Sequence, residues 1–251
     1  MKNRFLFLLT FISVASSFAQ SGDIKHDFLK RNDFSLGGGL HTNGWNIWTE
    51  RGYIKDAYKR KFYQIEYTQL HDPKEMKQTL DAGFSIKNNP AKPFVYGKQN
   101  SLLLLNAYVG KQNLLGHKSD KSGVEITVKY GAGISLGIVK PYYLVLVYQR
   151  DPDKFKNESY TAANADHFLD WNLIYGGGGF WKGFDHVSFL PGAAAKASLN
   201  FDWAVFDDYI KSIEVGAMLQ VFYKPVPIML LSSNKNYFPN LFVNIKLGKR
   251  W

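Results

Sequence analysis

The chain contains no cysteine among its 251 residues. This absence excludes a disulfide framework, a thiolate metal site and a cysteine nucleophile. The sequence also has no series of apolar runs of about 20 residues, the length that each span of a helical membrane protein needs. Disorder is excluded too, because 19 Phe, 15 Tyr and 6 Trp bring too much apolar surface for an unfolded chain.

The first twenty residues predict export from the cytoplasm. Lys2 and Arg4 precede an apolar run from Phe5 to Val14, and Ser17-Phe18-Ala19 places small residues where a signal peptidase reads them. This order of positive start, short apolar run and small residues is typical of a secretory signal peptide. We therefore predict a signal peptide over residues 1–19, cleaved after Ala19, and a single domain over 20–251. A membrane anchor is the alternative, but the run is too short to span a bilayer.

Beyond the signal peptide, apolar residues alternate with polar residues or glycine. The clearest case is 123–138, where one face is apolar from Val124 to Ile138 and the other carries Glu125, Lys129 and several glycines. A period of two predicts β-strands, because successive side chains of a strand point to opposite faces. The pattern predicts eight strands, at 34–41, 44–54, 60–70, 100–112, 123–138, 193–206, 211–223 and 239–251. Segment 100–112 is apolar on both sides of Leu103, so its facing stays open.

These strands favour a membrane barrel over a soluble sandwich or a lipocalin-like barrel. Most exceed the 9–11 residues that cross a bilayer, whereas strands of soluble proteins are usually shorter. A closed barrel with apolar residues outside leaves no unpaired edge in lipid. The predicted fold is therefore all-β, an eight-stranded antiparallel transmembrane β-barrel. Aromatic residues near strand ends are expected to form its interfacial girdles: Trp45, Tyr142, Tyr143, Trp203, Tyr223, Phe238 and Trp251.

The lengths of the connections support this topology. Outer-membrane barrels have short periplasmic turns and longer surface loops. With the N-terminus in the periplasm, the long connections at 71–97, 139–191 and 224–237 all fall on the extracellular side. The predicted location is the bacterial outer membrane, and its lipid bilayer is the first expected partner. Binding to nucleic acid is excluded by that compartment.

Charged residues on the polar faces predict a closed lumen. An eight-stranded barrel is just wide enough for its interior side chains to fill it, and unpaired charges there are costly. We therefore expect an internal network of ion pairs and no selective channel. Its predicted members are Glu50, Glu66, Glu125, Lys129, Lys196, Asp202, Glu214, Lys246 and Arg250.

Two histidines are candidates for a general base. His167 lies between Asp166 and Asp170, and His186 follows Asp185. An acid beside a histidine is the minimum for a base with an orienting partner. No nucleophile lies at a sequence spacing that would pair it with either histidine, so we expect both histidines to be solvated loop residues. The sequence predicts no catalytic residue, metal site or cofactor.

The fifth connection, residues 139–191, is too long for a structureless loop. It is rich in aromatic residues, which favours packing on the barrel mouth or on a neighbouring protein. We expect a partner-binding loop that includes Tyr142, Tyr143, Phe168, Trp171, Phe180, Trp181 and Phe184.

Positive charge is concentrated at the predicted periplasmic end. The cluster comprises Arg51, Lys55, Lys59, Arg60 and Lys61, with Lys246, Lys249 and Arg250 at the chain end. Such a rim could meet phospholipid head groups or an acidic partner. Solvated turns are an equally good interpretation.

Four segments resemble a family of outer-membrane β-barrel proteins from the Bacteroidota. They are Leu40-His41-Thr42-Asn43-Gly44-Trp45, Tyr58 to Glu75, Val95 to Asn100, and Ser135 to Pro141. The resemblance implies location and fold, and it brings no catalytic residues. It also suggests an accessory or structural subunit of a larger complex for barrel assembly or protein secretion. We therefore expect a non-enzymatic outer-membrane barrel, and the alternative is an enzyme that modifies lipid A or phospholipid with His167 or His186 as base.

Overall fold

The computed structural model describes residues 32–56, 59–79, 91–116, 123–148, 155–204 and 208–251. The predicted signal peptide lies outside these residues. The described chain contains thirteen β-strands: β1 (Asn32–His41), β2 (Gly44–Asp56), β3 (Lys59–Leu70), β4 (Lys77–Gln78), β5 (Phe94–Val95), β6 (Asn100–Gly116), β7 (Glu125–Pro141), β8 (Tyr143–Val147), β9 (Phe155–Ser159), β10 (Ile174–Gly177), β11 (Ser188–Asp202), β12 (Tyr209–Val226) and β13 (Lys235–Arg250).

Eight of these strands form a closed antiparallel barrel. The order around it is β1-β13-β12-β11-β7-β6-β3-β2, and β1 closes the ring by pairing with both β2 and β13. These are the eight strands predicted from the period of two, so the predicted fold is confirmed. The barrel strands run from 10 to 18 residues.

The burial pattern follows the sequence alternation. On β13, Leu241, Val243 and Ile245 are exposed on the outside, while Asn244 and Lys246 are buried inside. On β6, whose facing the sequence left open, Leu102, Leu104, Asn106 and Tyr108 are buried along the inner face, and Leu105 and Val109 are exposed.

The three long connections all leave from the same end of the barrel. The end that holds the start of β1 and the end of β13 is called here the terminal end, and the opposite end is called the loop end. The β3–β6, β7–β11 and β12–β13 connections leave from the loop end, over 71–99, 142–187 and 227–234. Thr42 and Asn43 form a tight turn between β1 and β2 at the same end.

The long β7–β11 connection folds into a small cap. Its strands form a three-stranded sheet in the order β10-β8-β9, and a single α-helical turn, α1 (Ala165–Phe168), packs beside β8. Short 3-10 turns lie at Ala162–Asn164, Trp171–Leu173 and Phe184–His186. Strands β4 and β5 pair separately within the β3–β6 connection. Among the described residues, no helix is long and apolar enough to cross a bilayer.

Glycines on the inner face make room for lumen aromatics. A Cβ at Gly37 would lie 2.3 Å from the Trp48 indole, and a Cβ at Gly110 would lie 2.4 Å from the Phe62 ring. Both aromatic rings are buried. Because such distances are far below van der Waals contact, any larger residue at either glycine would displace the ring that fills the lumen.

Candidate functional site

Glu50 is the centre of the charged network in the terminal half of the lumen. Its carboxylate accepts hydrogen bonds from Lys246 (2.7 Å), from Arg60 (2.8 Å) and from Lys129. The carboxylate is fully buried, and β2, β3, β7 and β13 each supply one of the four groups. One anion therefore ties four strands together across the barrel.

A second tier of ion pairs continues toward the loop end. Lys129 also contacts Glu214 at 3.2 Å, and Lys196 lies 3.5 Å from Glu66 and 3.8 Å from Glu214. Neutral donors complete the shell of the Glu66 carboxylate: Gln64 (3.1 Å), Thr68 (3.1 Å) and Asn106 (3.3 Å). Each buried charge in this tier thus has an opposite charge or a hydrogen-bond donor beside it, as buried ions require.

Most predicted network members lie in this lumen, but they do not form one set. Arg250 pairs with Asp202 at 2.7 Å, near the terminal end of the barrel. Glu125, although aligned with Asp202 across β7 and β11, forms no ion pair with any residue that the structure describes. We call the connected set of ion pairs around Glu50 the charged lumen: Asp33, Glu50, Arg60, Glu66, Lys129, Lys196, Glu214 and Lys246.

Sequence reasoning missed two members, Asp33 and Arg60. Arg60 was assigned to the basic rim, but its guanidinium points inward and binds both Asp33 and Glu50. The signal was present, since Arg60 shares the parity of the polar residues Gln64 and Glu66, and Asp33 alternates with outward Phe34. Lys246 and Arg250, also assigned to the rim, likewise point into the barrel.

Aromatic rings line the charged lumen. The ammonium of Lys129 lies 4.5 Å from the centre of the Phe62 ring and 5.2 Å from that of Trp48. Lys196 approaches Tyr108 at 5.2 Å and Phe242 at 5.3 Å. These contacts occupy the space between ion pairs, and cation–π attraction is strongest where water is excluded.

The loop half of the lumen is apolar, which corrects the prediction of a polar interior. We call this cluster the apolar plug: Leu70, Val95, Leu102, Leu104, Val139, Leu190, Phe222, Val226, Ile228, Met229 and Phe238. Phe238, predicted for an outer girdle, points inward and contacts Phe222 with ring centres 6.0 Å apart. Val95, Ile228 and Met229 come from the connections rather than from barrel strands, so the loops close the barrel from above.

A polar cluster fastens these loops at the loop end. The Glu75 carboxylate contacts His71 at 2.9 Å and Lys98 at 2.5 Å. Main-chain hydrogen bonds join the same segment to the β12–β13 connection, from Leu230 to Gly97 (2.8 Å) and from Gln99 to Ile228 (2.9 Å). Burial alone would raise the pKa of Glu75, but the hydrogen bond with His71 and the charge of Lys98 hold that pKa below its ordinary value.

The residues of the predicted partner-binding loop divide into two groups. Phe168 is fully buried in the cap core with Phe94, Leu144, Leu146 and Ile174, and Tyr142 packs against that core. The Tyr142 hydroxyl accepts a hydrogen bond from the Val95 main chain, and burial raises the pKa of that hydroxyl. Trp171 is 43% exposed, and its ring contacts those of Phe94 and Tyr96 in tilted arrangements, with ring centres 5.4 and 5.5 Å away. Phe168 and Tyr142 are therefore structural, and Tyr143 lies half-buried beneath Gly183.

The remaining three residues, Phe180, Trp181 and Phe184, form what we call the lateral aromatic cluster. Their ring centres lie 5.4 to 6.0 Å apart, and Trp181 is 78% exposed. Lys140 holds the cluster in place, since its ammonium donates to the carbonyls of Phe180 (2.8 Å) and Lys182 (3.1 Å). The same ammonium lies 4.9 Å from the Phe180 ring and 5.1 Å from the Phe184 ring.

The lateral aromatic cluster lies against the outer wall of the barrel. Lys140 lies two residues after outward-facing Ile138 on β7, so its side chain also points to the outside of the barrel. It is nevertheless only 2% exposed. The residues that cover it are those of the cluster. Phe189, which is exposed and aligned with Ile138, extends the apolar surface down the wall.

Neither predicted histidine has the partners of a catalytic base. His167 is exposed on α1 and lies against the Tyr148 ring at 5.4 Å, and His186 is exposed before β11. Within the described residues, neither imidazole ring is hydrogen-bonded to an acid or a hydroxyl. The same part of the chain holds no group of three or more His, Asp or Glu that could bind a metal ion.

The outer wall carries a continuous apolar band. Every barrel strand contributes an exposed apolar residue: Leu36, Ile47, Ile65, Val109, Ile134, Leu199, Val215 and Val243. From Tyr237 to Leu247 on β13, the outward positions alternate without a single charge. Such a span matches the 9–11 residues with which a tilted strand crosses hydrocarbon.

No protein-family model matches the chain, and no curated protein matches it. Among solved structures, it is similar to Neisserial surface protein A (8% identity, covering 88% of this chain and 95% of that one, TM-score 0.43). It is also similar to the N-terminal β-barrel domain of Pseudomonas aeruginosa OprF (9%, 88% and 98%, TM-score 0.35) and to Ail, the attachment invasion locus protein of Yersinia pestis (8%, 89% and 100%, TM-score 0.38). Because these TM-scores are below 0.5, the function is inferred from this chain's own residues.

Proposed function

We propose that the protein is a non-enzymatic barrel of the bacterial outer membrane that serves as an accessory subunit of a larger complex, such as a barrel assembly or secretion machine. The observation that carries the subunit role is the lateral aromatic cluster held on the outer wall by Lys140. Two features support the membrane location. The apolar band covers all eight strands on the outside, and the closed barrel leaves no unpaired strand edge in lipid.

The lumen argues against a pore. A channel needs a continuous wet path, but here ion pairs fill the terminal half and the apolar plug fills the loop half. Conduction would require both barriers to open together. The interior therefore serves stability, and the surface that remains for function is the outer wall with the cap.

The lateral aromatic cluster has the composition of a binding hot spot. Trp and Phe are enriched at protein interfaces, and hot spots are enriched in Trp. The cluster is also prearranged, because Lys140 fixes its main chain and two of its rings before any partner arrives, which lowers the entropy cost of binding. On the outer wall, the cluster is accessible to another protein in the same membrane.

Site-specific photocrosslinking in native membranes tests this proposal. A benzophenone amino acid replaces Trp181 in one variant and Trp171 in a matched control, since both side chains are exposed but only Trp181 lies on the wall. We expect a discrete protein adduct at position 181 and none at 171. Protein extracted gently with a tag at exposed Ser233 in the 227–234 connection should then co-purify with the same partner, and Trp181→Ala should reduce the yield of that partner.

Three results would contradict parts of the proposal. Adducts with lipid alone at position 181 would remove the subunit role. A changed lipid A or phospholipid mass profile in the double variant His167→Ala/His186→Ala would remove the non-enzymatic assignment. Steady conductance in planar bilayers, altered by neutralising Lys129 or Glu66, would remove the closed lumen.

A further inference from the structure

Besides Lys59 at the start of β3, five exposed cations face outward near the terminal end of the barrel wall: Arg51, Lys61, Lys111, Lys211 and Lys249. All are exposed, and they lie on β2, β3, β6, β12 and β13. With β1 between β13 and β2, these strands are consecutive around the barrel, so the cations form one arc. We call it the basic arc.

The strand register makes the basic arc continuous. Lys61 and Lys111 are direct cross-strand partners on β3 and β6. Arg51 and Lys249 are both aligned with Phe34 on the strand between them. Lys211 is aligned with Leu247, two residues from Lys249, so those two lysines are diagonal neighbours. Arg51 and Lys61 are diagonal neighbours in the same way, through Tyr63.

These cations have no ion-pair partner among the described residues. Acids of the described barrel strands, such as Asp33, Glu50 and Asp202, have the inward parity, and none of the five cations forms an ion pair with a described residue. Like charges directly opposite each other on a sheet are destabilising, and side chains at such positions are only about 5 Å apart. The pair Lys61 and Lys111 is thus a site where an anion from outside the chain would relieve repulsion.

Aromatic residues mark the level of the arc as a membrane interface. Tyr53 lies across from Lys61, with the Arg51 guanidinium 5.5 Å from its ring, and Tyr130 lies across from Lys111. Tyr209 is aligned with Lys249. Aromatic girdles lie at the head-group level of barrel proteins, and the apolar band begins directly beyond these residues toward the loop end.

We propose that the basic arc binds the phosphate groups of anionic phospholipids in the leaflet at the terminal end. This inference rests on the membrane location proposed above. The lysine stems lie along the apolar wall while their ammonium groups reach the head groups, and the bilayer offers phosphates at that level. Strands β7 and β11 carry no outward cation near the terminal end, so lipid selectivity is confined to one side of the barrel.

The test measures lipid selectivity at the barrel wall. The full mature chain is reconstituted into vesicles of phosphatidylcholine with phosphatidylglycerol, and the association of spin-labelled phosphatidylglycerol is compared with that of spin-labelled phosphatidylcholine. We expect the wild type to prefer phosphatidylglycerol at low salt. Lys61→Gln/Lys111→Gln should weaken that preference by about fivefold or more, the effect of removing one or two interfacial cations. The matched control is Lys74→Gln/Lys156→Gln, which removes the same charge at the loop end and should change nothing.

Each outcome decides the inference. Equal preference in both double variants, or no preference in the wild type, overturns it. Loss of the preference in inorganic phosphate but not in sodium chloride of equal ionic strength would assign the arc to free phosphate instead of lipid. A chain that fails to float with any vesicle contradicts the membrane location itself, whereas a chain that floats without selectivity contradicts only the basic arc.

Discussion

The two halves of the barrel interior are closed by opposite kinds of chemistry. The charged lumen at the terminal end is held by ion pairs centred on Glu50, whereas the apolar plug at the loop end is held by packing around Leu104 and Phe222. The interior of one barrel can therefore be closed at two levels, each by a different kind of interaction. Removing one partner of a buried ion pair leaves the other charge unpaired, which is strongly destabilising. Apolar packing, in contrast, tolerates the replacement of one side chain by another of similar shape.

The largest expected effect comes from breaking the charged half. Glu50→Gln leaves Lys129, Lys246 and Arg60 without their shared anion, and removing one partner of a buried ion pair typically costs about 3–5 kcal/mol. We expect the free energy of unfolding to fall by that amount. Urea titration of the reconstituted barrel, followed by its heat-modifiable mobility in gels, measures the loss.

A double substitution that leaves the net charge unchanged measures the energy of a single ion pair in the charged lumen. Lys196→Met with Glu66→Gln removes both members of a pair that lies 3.5 Å apart. The double variant should be less destabilised than the sum of the two single variants, by about 1–2 kcal/mol, because contacting residues couple. Strict additivity would show that the ion pair carries no energy of its own.

A smaller effect is expected in the apolar half. Leu104→Ala leaves a cavity in the plug and should cost about 3 kcal/mol, with little dependence on salt. Leu105→Ala is the matched control, since Leu105 is 44% exposed on the outer wall and Leu104 is not exposed at all. Equal losses for the two variants would mean that the plug is not packed as described.

The smallest effect concerns the fastening of the loops. Because the pKa of Glu75 is lowered in the folded protein, its contribution is present above its ordinary value of 4.5 and is lost as the pH falls through the lowered pKa. Charged hydrogen bonds of this kind contribute about 1.5 kcal/mol or more. The protection factors of the Gln99 and Leu230 amides against hydrogen exchange, which correct for the intrinsic pH dependence of the rate, should therefore fall in acid.

The variants Glu75→Gln and Glu125→Gln complete this measurement. Glu75→Gln should show low protection factors at every pH, and Glu125→Gln should behave like the wild type, since Glu125 forms no ion pair with a described residue. Unchanged pH dependence in Glu75→Gln would mean that another group controls the loop end.

The sequence predicted the barrel because strand alternation is a local property. Eight alternating segments and the asymmetry of their connections were sufficient for the topology, and most lumen charges followed from parity. The apolar plug was not predicted, because a strand that is apolar on both faces, such as β6 around Leu103, loses its period of two. Val95 and Met229 pack in the plug from the connections, and no spacing within the chain indicates contacts of that range.

The candidate surfaces were predicted only in part. Aromatic content flagged the residues 139–191, but Phe168 and Trp181 look equivalent in sequence and differ completely in exposure. Lys140 was not singled out, since its role depends on a loop folding back over the wall. For the basic rim, parity separates outward Lys61 from inward Arg60, and the remaining information comes from strand register.

The composition of the apolar plug also constrains the order in which the molecule can be assembled. Val95 precedes β6, whereas Ile228 and Met229 follow β12, so more than half of the described chain lies between residues that touch. Contacts of such separation form late. The seal at the loop end therefore forms only once the β12–β13 connection is in place, and the unfinished barrel remains open at that end until then.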